Sequence, residues 1–97
     1  MRVEKHHLFN QWYERLSVRD KGLVSSRIFR IEENDYLGDY KYIGGDVFEL
    51  RWKNGLRIYF SSRTDNEGKI IFLLLGGTKH GQNRDIQKAK RIKKQIH

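Results

Sequence analysis

From Val47 to Ser61 apolar and polar positions alternate. Phe48, Leu50 and Trp52 interleave with Val47, Glu49 and Arg51, and Leu56, Ile58 and Phe60 with Arg57, Tyr59 and Ser61. A period of two marks two strands, each with one apolar face. The apolar faces must share one side of a sheet. That aligns Trp52 with Leu56 and leaves Lys53-Asn54-Gly55 as a three-residue loop with Gly55 left-handed. In this register Arg51 lies opposite Arg57 and Glu49 opposite Tyr59. Like charges directly opposed on a sheet repel, so the pairing predicts an anion between the two arginines.

The flanking segments follow other periods. Leu8, Phe9, Trp12 and Leu16 share one helical face, predicting a helix over 5–16. Val24, Ile28 and Ile31 predict a second helix over 18–33, which Asn34-Asp35 and Gly38-Asp39 end. Tyr40 to Ile43 suits a strand closed by Gly44-Gly45. The run Ile70 to Leu75 is apolar on both faces, as in a strand covered on both sides. Gly76 to Gln82 reads as a loop. A last helix is expected over 83–94, with Ile86, Ala89 and Lys93 inward. The fold class is therefore α+β: two N-terminal helices packed on a small antiparallel sheet, then a short basic C-terminal helix. Residues 1–97 form a single domain with one core. In this arrangement Glu49, Arg51, Arg57 and Tyr59 lie on an open polar face, with the glycine loop and last helix at one end. Arg57 is then removable without loss of core atoms.

Charge sharpens the picture. The chain carries a net +8. Residues 79–97 hold seven basic residues against Asp85, a surplus of six, while the rest holds thirteen basic and eleven acidic residues. A basic tail on a balanced body points to an anionic partner, nucleic acid above all. There is no cysteine, which excludes disulfides and thiolate metal sites and fits a cytoplasmic setting. No apolar run reaches membrane-spanning length, and no secretory signal is visible. No metal site and no cofactor are expected: His6 and His7 cannot face one ion along a helix, and no nucleotide-binding fingerprint occurs.

The candidate site comprises Arg51, Arg57, Tyr59, Lys79 and His80. Arginine offers a planar fork of donors that matches phosphate. Tyrosine stacks on bases or donates a hydrogen bond. Gly76, Gly77 and Gly81 let backbone approach a phosphate beside Lys79. His80 suits proton transfer near neutrality. Lys41, Gln82, Arg84 and Lys88 are expected to add RNA or phosphate contacts.

Gly38-Asp39-Tyr40-Lys41-Tyr42-Ile43-Gly44-Gly45-Asp46-Val47-Phe48-Glu49-Leu50-Arg51 resembles a block of the RelE/ParE toxin superfamily, closest to its HigB-like, phage Gp49-like "addiction module killer" branch. Gly55 to Phe60 resembles that branch's arginine strand. Leu73 to Lys79 and Gln82 to Ile86 resemble its closing strand, loop and last helix, and Phe9 and Trp12 fit its first helix. The resemblance implies a type II toxin neutralised by a cognate antitoxin, of a HigA-like helix-turn-helix kind that contacts operator DNA. It implies a metal-independent endoribonuclease that cuts mRNA in the ribosome. Arg57 would meet the scissile phosphate, with Lys79 and His80 in the basic loop. Two alternatives stay open: a ParE-like gyrase inhibitor, and an inactive member that only binds its antitoxin. The strand lysines of RelE are Glu49 and Arg51 here, and its late tyrosine falls near Ile86. A histidine, a carboxylate or Tyr59 is left to supply the acid and base.

Overall fold

The computed structural model describes residues 1–96. In chain order the elements are β1 (Arg2–Lys5), α1 (His7–Glu14), α2 (Val18–Asn34), β2 (Tyr40–Gly44), β3 (Val47–Arg51), β4 (Leu56–Asp65), β5 (Gly68–Thr78), a 3-10 turn (Lys79–Gly81) and α3 (Gln82–Ile96). The five strands form one sheet in the order β1-β5-β4-β3-β2. All neighbours are antiparallel except β1 and β5, which run parallel.

The β3–β4 hairpin has the register the alternation predicts. Arg51 pairs with Arg57, Leu50 with Ile58, Glu49 with Tyr59 and Phe48 with Phe60. The Trp52 amide donates to the Leu56 carbonyl at 3.1 Å, and Gly55 has a φ of 99° that suits glycine. Both N-terminal helices are present. His6 caps α1 by accepting the Leu8 amide, and Ser17 caps α2 by accepting the Asp20 amide. The left-handed Asp35 ends α2.

Where the sequence predicts one core, two hydrophobic clusters result, one on each side of the sheet. On the first side Phe9, Val24, Ile28 and Ile31 pack against Leu50, Leu56, Ile58, Phe60, Ile71 and Leu73. On the second, Ala89 and Ile92 of α3 pack against Val47, Tyr59, Leu74 and Leu75. A bulge shapes the second core. Tyr59 pairs with Leu75 but Phe60 with Leu73, so the extra residue turns both Leu74 and Leu75 toward α3.

Three expectations change. The first four-residue strand replaces the start of the predicted 5–16 helix and makes the sheet mixed, not wholly antiparallel. With Val3 its only apolar residue, β1 has no periodicity to reveal it. The last helix does not stand at the end of an open face but lies along that face and closes it, with Ile92 inward and Lys93 half-buried. Consequently Glu49 and Tyr59 are fully buried and Arg57 nearly so.

The junction between hairpin and helices hangs on Arg27 of α2. Its guanidinium donates to the carbonyls of Leu37 (2.9 Å), Arg51 (2.6 Å) and Asp39 (2.5 Å), and it lies 4.5 Å from the centre of the Trp52 ring. Arg27→Ala is expected to cost about 2 kcal/mol, since hydrogen bonds to a charged group contribute roughly 1.5–3 kcal/mol each but these are partly solvated. Arg27→Lys should recover only part, because an ammonium lacks the fork that reaches three carbonyls. Denaturant midpoints of the three proteins measure both statements.

Candidate functional site

The Arg51–Arg57 pair sits on the α3 side of the sheet, near the hairpin loop. An anion does lie beside the two arginines, but it belongs to the chain. Glu49 is two residues before Arg51 and on the same strand face, and its Oε1 is 3.9 Å from Arg51 Nε and 4.0 Å from Arg57 Nε. Its Oε2 accepts a 2.6 Å hydrogen bond from Gln82 Nε2 at the start of α3. The expectation of an outside anion between the arginines is thus corrected: the carboxylate already offsets their repulsion. Glu49 Oε1, Arg57 Nε and the Tyr59 hydroxyl are buried without a hydrogen-bond partner among the described residues. Three such atoms in one small volume are unusual in a folded interior.

The two arginines differ in access. Arg57 is held from behind, its Nη1 donating to the carbonyls of Trp52 (3.1 Å) and Leu56 (2.9 Å), with the side chain 11% exposed. It is not removable without structural loss, as an open face would have allowed. Arg51 keeps 39% of its side chain exposed. Tyr59 has no exposed ring and so no face on which a base could stack. Burial pushes its phenol well above the ordinary value, and the carboxylates of Glu49 and Asp85 push it further. Tyr59 is a neutral hydroxyl facing the Glu49 cluster.

The basic loop is ordered. The Lys79 amide donates to the Gly55 carbonyl at 2.8 Å, tying the 3-10 turn to the hairpin loop. The stem of Lys79 runs past Gly55, where a Cβ would lie 3.5 Å from it. Lys79, His80, Gly81, Gln82, Asn83 and Arg84 line an open concavity of about 390 Å³. Lys79, His80 and Arg84 are exposed there. Gln82 instead turns inward to Glu49 and links the concavity to the arginine cluster. Lys88 lies on the exposed side of α3, and Lys41, the cross-strand partner of Glu49, is exposed at the β2 edge of the sheet. The structure therefore brings Arg51, Arg57, Glu49 and Gln82 together beside Lys79, His80 and Arg84. Lys41 and Lys88 stand outside that cluster.

Glu49 and Asp85 are the polar residues missing from the sequence-derived site. Asp85 Oδ2 would meet a Cβ on Gly77 at 2.1 Å and one on Gly81 at 3.2 Å, so both glycines make room for a carboxylate. Burial raises the Asp85 pKa, and the Arg84 and Lys88 charges offset part of the rise. A raised carboxyl pKa means that the folded state holds the proton more tightly. Its penalty is absent below the unfolded value near 3.8 and complete above the raised folded value. Asp85→Asn should accordingly be more stable than the native chain at pH 7, and the gap should close below about pH 4. Thermal melts across that range test the sign.

Two comparisons place the chain. An uncharacterized protein of Haemophilus influenzae is 32% identical over 91 residues, which span 91% of this chain and 88% of that one. The chain belongs to the same family as that protein. No protein-family profile matches it. Among solved structures, a YoeB/ParE toxin from Agrobacterium tumefaciens superposes with a TM-score of 0.64 at 13% identity, covering 80% of this chain and 98% of that one. The shared feature is the toxin-like α+β fold, as the sequence resemblance implied. Among the described residues no helix is long and apolar enough to cross a membrane, and no group of His, Asp and Glu side chains is placed to hold a metal ion.

Proposed function

We propose that this protein is the toxin of a toxin–antitoxin pair and that it cleaves mRNA on the ribosome. The observation that carries the reading is the meeting of the Arg51–Glu49–Arg57 cluster with the Lys79–His80–Arg84 concavity. The likeness in fold to a YoeB/ParE toxin supports the toxin part. Arg51 is the arginine with an exposed side chain, so it takes the RNA phosphate, and Arg57 stands behind it, set by Glu49. Lys79 and Arg84 hold flanking phosphates as mobile charges. In the reaction the ribose 2′-oxygen bonds to the adjacent phosphorus and the bond to the 5′-oxygen breaks. This leaves a cyclic phosphate and a 5′-hydroxyl. His80, exposed in the concavity, exchanges the proton that the 2′-hydroxyl loses and the leaving oxygen gains. The guanidinium of Arg51 stabilises the charge that gathers on the phosphoryl oxygens. The partners of this reading are the translating ribosome and an antitoxin protein of HigA-like type.

One observation favours the ParE-like alternative. Arg57 is largely satisfied inside the chain and Tyr59 is buried, so the face that would hold RNA has fewer free groups than an open face would. The test runs both activities side by side. Toeprinting on translating ribosomes should show new mRNA ends within the A site, and gyrase supercoiling should be unaffected. Lost supercoiling with intact mRNA would move the assignment to gyrase. Normal growth of cells making the folded protein with no antitoxin present would end the reading of this chain as an active toxin.

A further inference from the structure

The sheet ends at β2, whose outer edge is uncovered among the described residues. The Arg51 amide donates to the Asp39 carbonyl at 3.0 Å, which marks residues 39 and 51 as a hydrogen-bonded pair. Pairs alternate along an antiparallel ladder, so Lys41 and Glu49 bond to each other while Tyr40 and Tyr42 turn their amides and carbonyls outward. The side chains flanking that edge are sorted by face. On one face Tyr42 and Tyr40 pack on Phe48 with ring centres 5.0 and 6.2 Å apart, and Phe48 stacks on Phe60 at 5.3 Å. Yet the two tyrosines stay 56% and 48% exposed. They form an aromatic ledge left open among the described residues. On the other face lies exposed Lys41, and the Lys90 side chain of α3 runs over the turn after β2, its Nζ 3.3 Å from where a Gly44 Cβ would be.

We infer that this edge receives an extended segment of a partner protein as a sixth strand, with apolar and acidic residues in alternation. Backbone pairing would supply much of the affinity, and the alternation the specificity. Apolar side chains of the segment would rest beside Tyr40 and Tyr42, and its carboxylates would face Lys41 and Lys90. A second copy of this chain suits the edge poorly, because pairing β2 with β2 brings lysine toward lysine. RNA also suits it poorly: the hollow beside Tyr40 is lined by Leu37, Phe48 and Ile71, with Lys69 its one cation among the described residues. The inference stands on this edge alone and is independent of the nuclease reading.

The test uses the full chain and two synthetic octapeptides, one alternating valine with glutamate and one alternating valine with lysine. The glutamate peptide should shift and protect the amides of Tyr40 and Tyr42 in a saturable way, and the lysine peptide should not. Lys41→Glu, at an exposed position, should weaken the glutamate peptide by about fivefold to tenfold and favour the lysine peptide, as reversal of cross-strand charge pairing requires. Shifts confined to the outer lysines of α3, equal binding of both peptides, or no binding by a folded protein would each overturn the inference. So would concentration-dependent protection of β2 in the protein alone, which would assign the edge to a second copy.

Discussion

Glu49→Ala is expected to destabilise the fold by about 3–5 kcal/mol, the cost of leaving a buried charge without its partner. The carboxylate is fully buried, and the nearly buried Arg57 depends on it for charge balance. Taking it away also restores the repulsion between the opposed Arg51 and Arg57 and deprives Gln82 of its acceptor. Glu49→Gln should cost less, since the amide oxygen can still accept from Gln82 while the charge alone is lost. The double variant Glu49→Leu/Arg57→Leu provides the sharper comparison. Replacing a buried ion pair with apolar groups is often close to neutral, so the double variant should be more stable than Glu49→Leu alone. Such a reversal occurs only if the two side chains act as a unit. Denaturant unfolding of the four proteins closes the cycle. A double variant whose loss equals the sum of the two single losses would show that Glu49 and Arg57 contribute independently.

The hairpin was legible because two signals agree there: alternation on two strands and a glycine at the turn. The opposed arginines followed from that register, and the structure repeats the pairing residue by residue. The nature of the anion between them did not follow, although Glu49 lies on the same strand face as Arg51 and diagonal to Arg57. Direct opposition pairs Glu49 with Tyr59, whereas a long side chain also reaches the diagonal position, here Arg57. Closure of the polar face by α3 left a fainter mark. Ile86, Ala89, Ile92 and Ile96 form a narrow apolar stripe in a helix otherwise rich in lysine. The stripe is thin because the face it covers carries the charged Glu49 and Arg57 beside its apolar side chains. The β1 strand left no mark, since a four-residue edge strand is held by backbone pairing and needs little apolar sequence.

This closure changes where the chemistry must be sought. An open sheet face would offer Arg57 and Tyr59 to RNA directly. The closed one withdraws both and leaves a border where the sheet, the 3-10 turn and the first turn of α3 meet. Arg51, Lys79, His80 and Arg84 are the groups with solvent access at that border. Arg57, Glu49 and Gln82 form the layer beneath, and the Glu49 carboxylate, 3.9 Å from Arg51 Nε, attracts the Arg51 guanidinium toward that border. A charge partner of this kind favours the placement that a group meeting a phosphate requires.

On the proposed nuclease reading, Arg51→Ala is expected to lower cleavage of mRNA on translating ribosomes by about two orders of magnitude, the loss that follows removal of one donor to a developing oxyanion. The fold should survive, because Arg51 is partly exposed and its removal leaves Glu49 with Arg57 and Gln82 as partners. Arg51→Lys should recover little, since an ammonium lacks the planar fork that meets two phosphate oxygens in parallel. Lys79→Ala should cost less than Arg51→Ala. Its loss should also reduce the salt dependence of ribosome association, because a loop lysine contributes mainly through release of counterions. Primer extension on the cleaved message gives the rates, and circular dichroism shows whether each variant is folded. Wild-type cleavage by a folded Arg51→Ala variant would remove this arginine from the reaction. If Arg57→Lys, folded and with its charge in place, then lost cleavage, the scissile phosphate would have to reach Arg57 instead, and α3 would have to move away from the sheet to admit it.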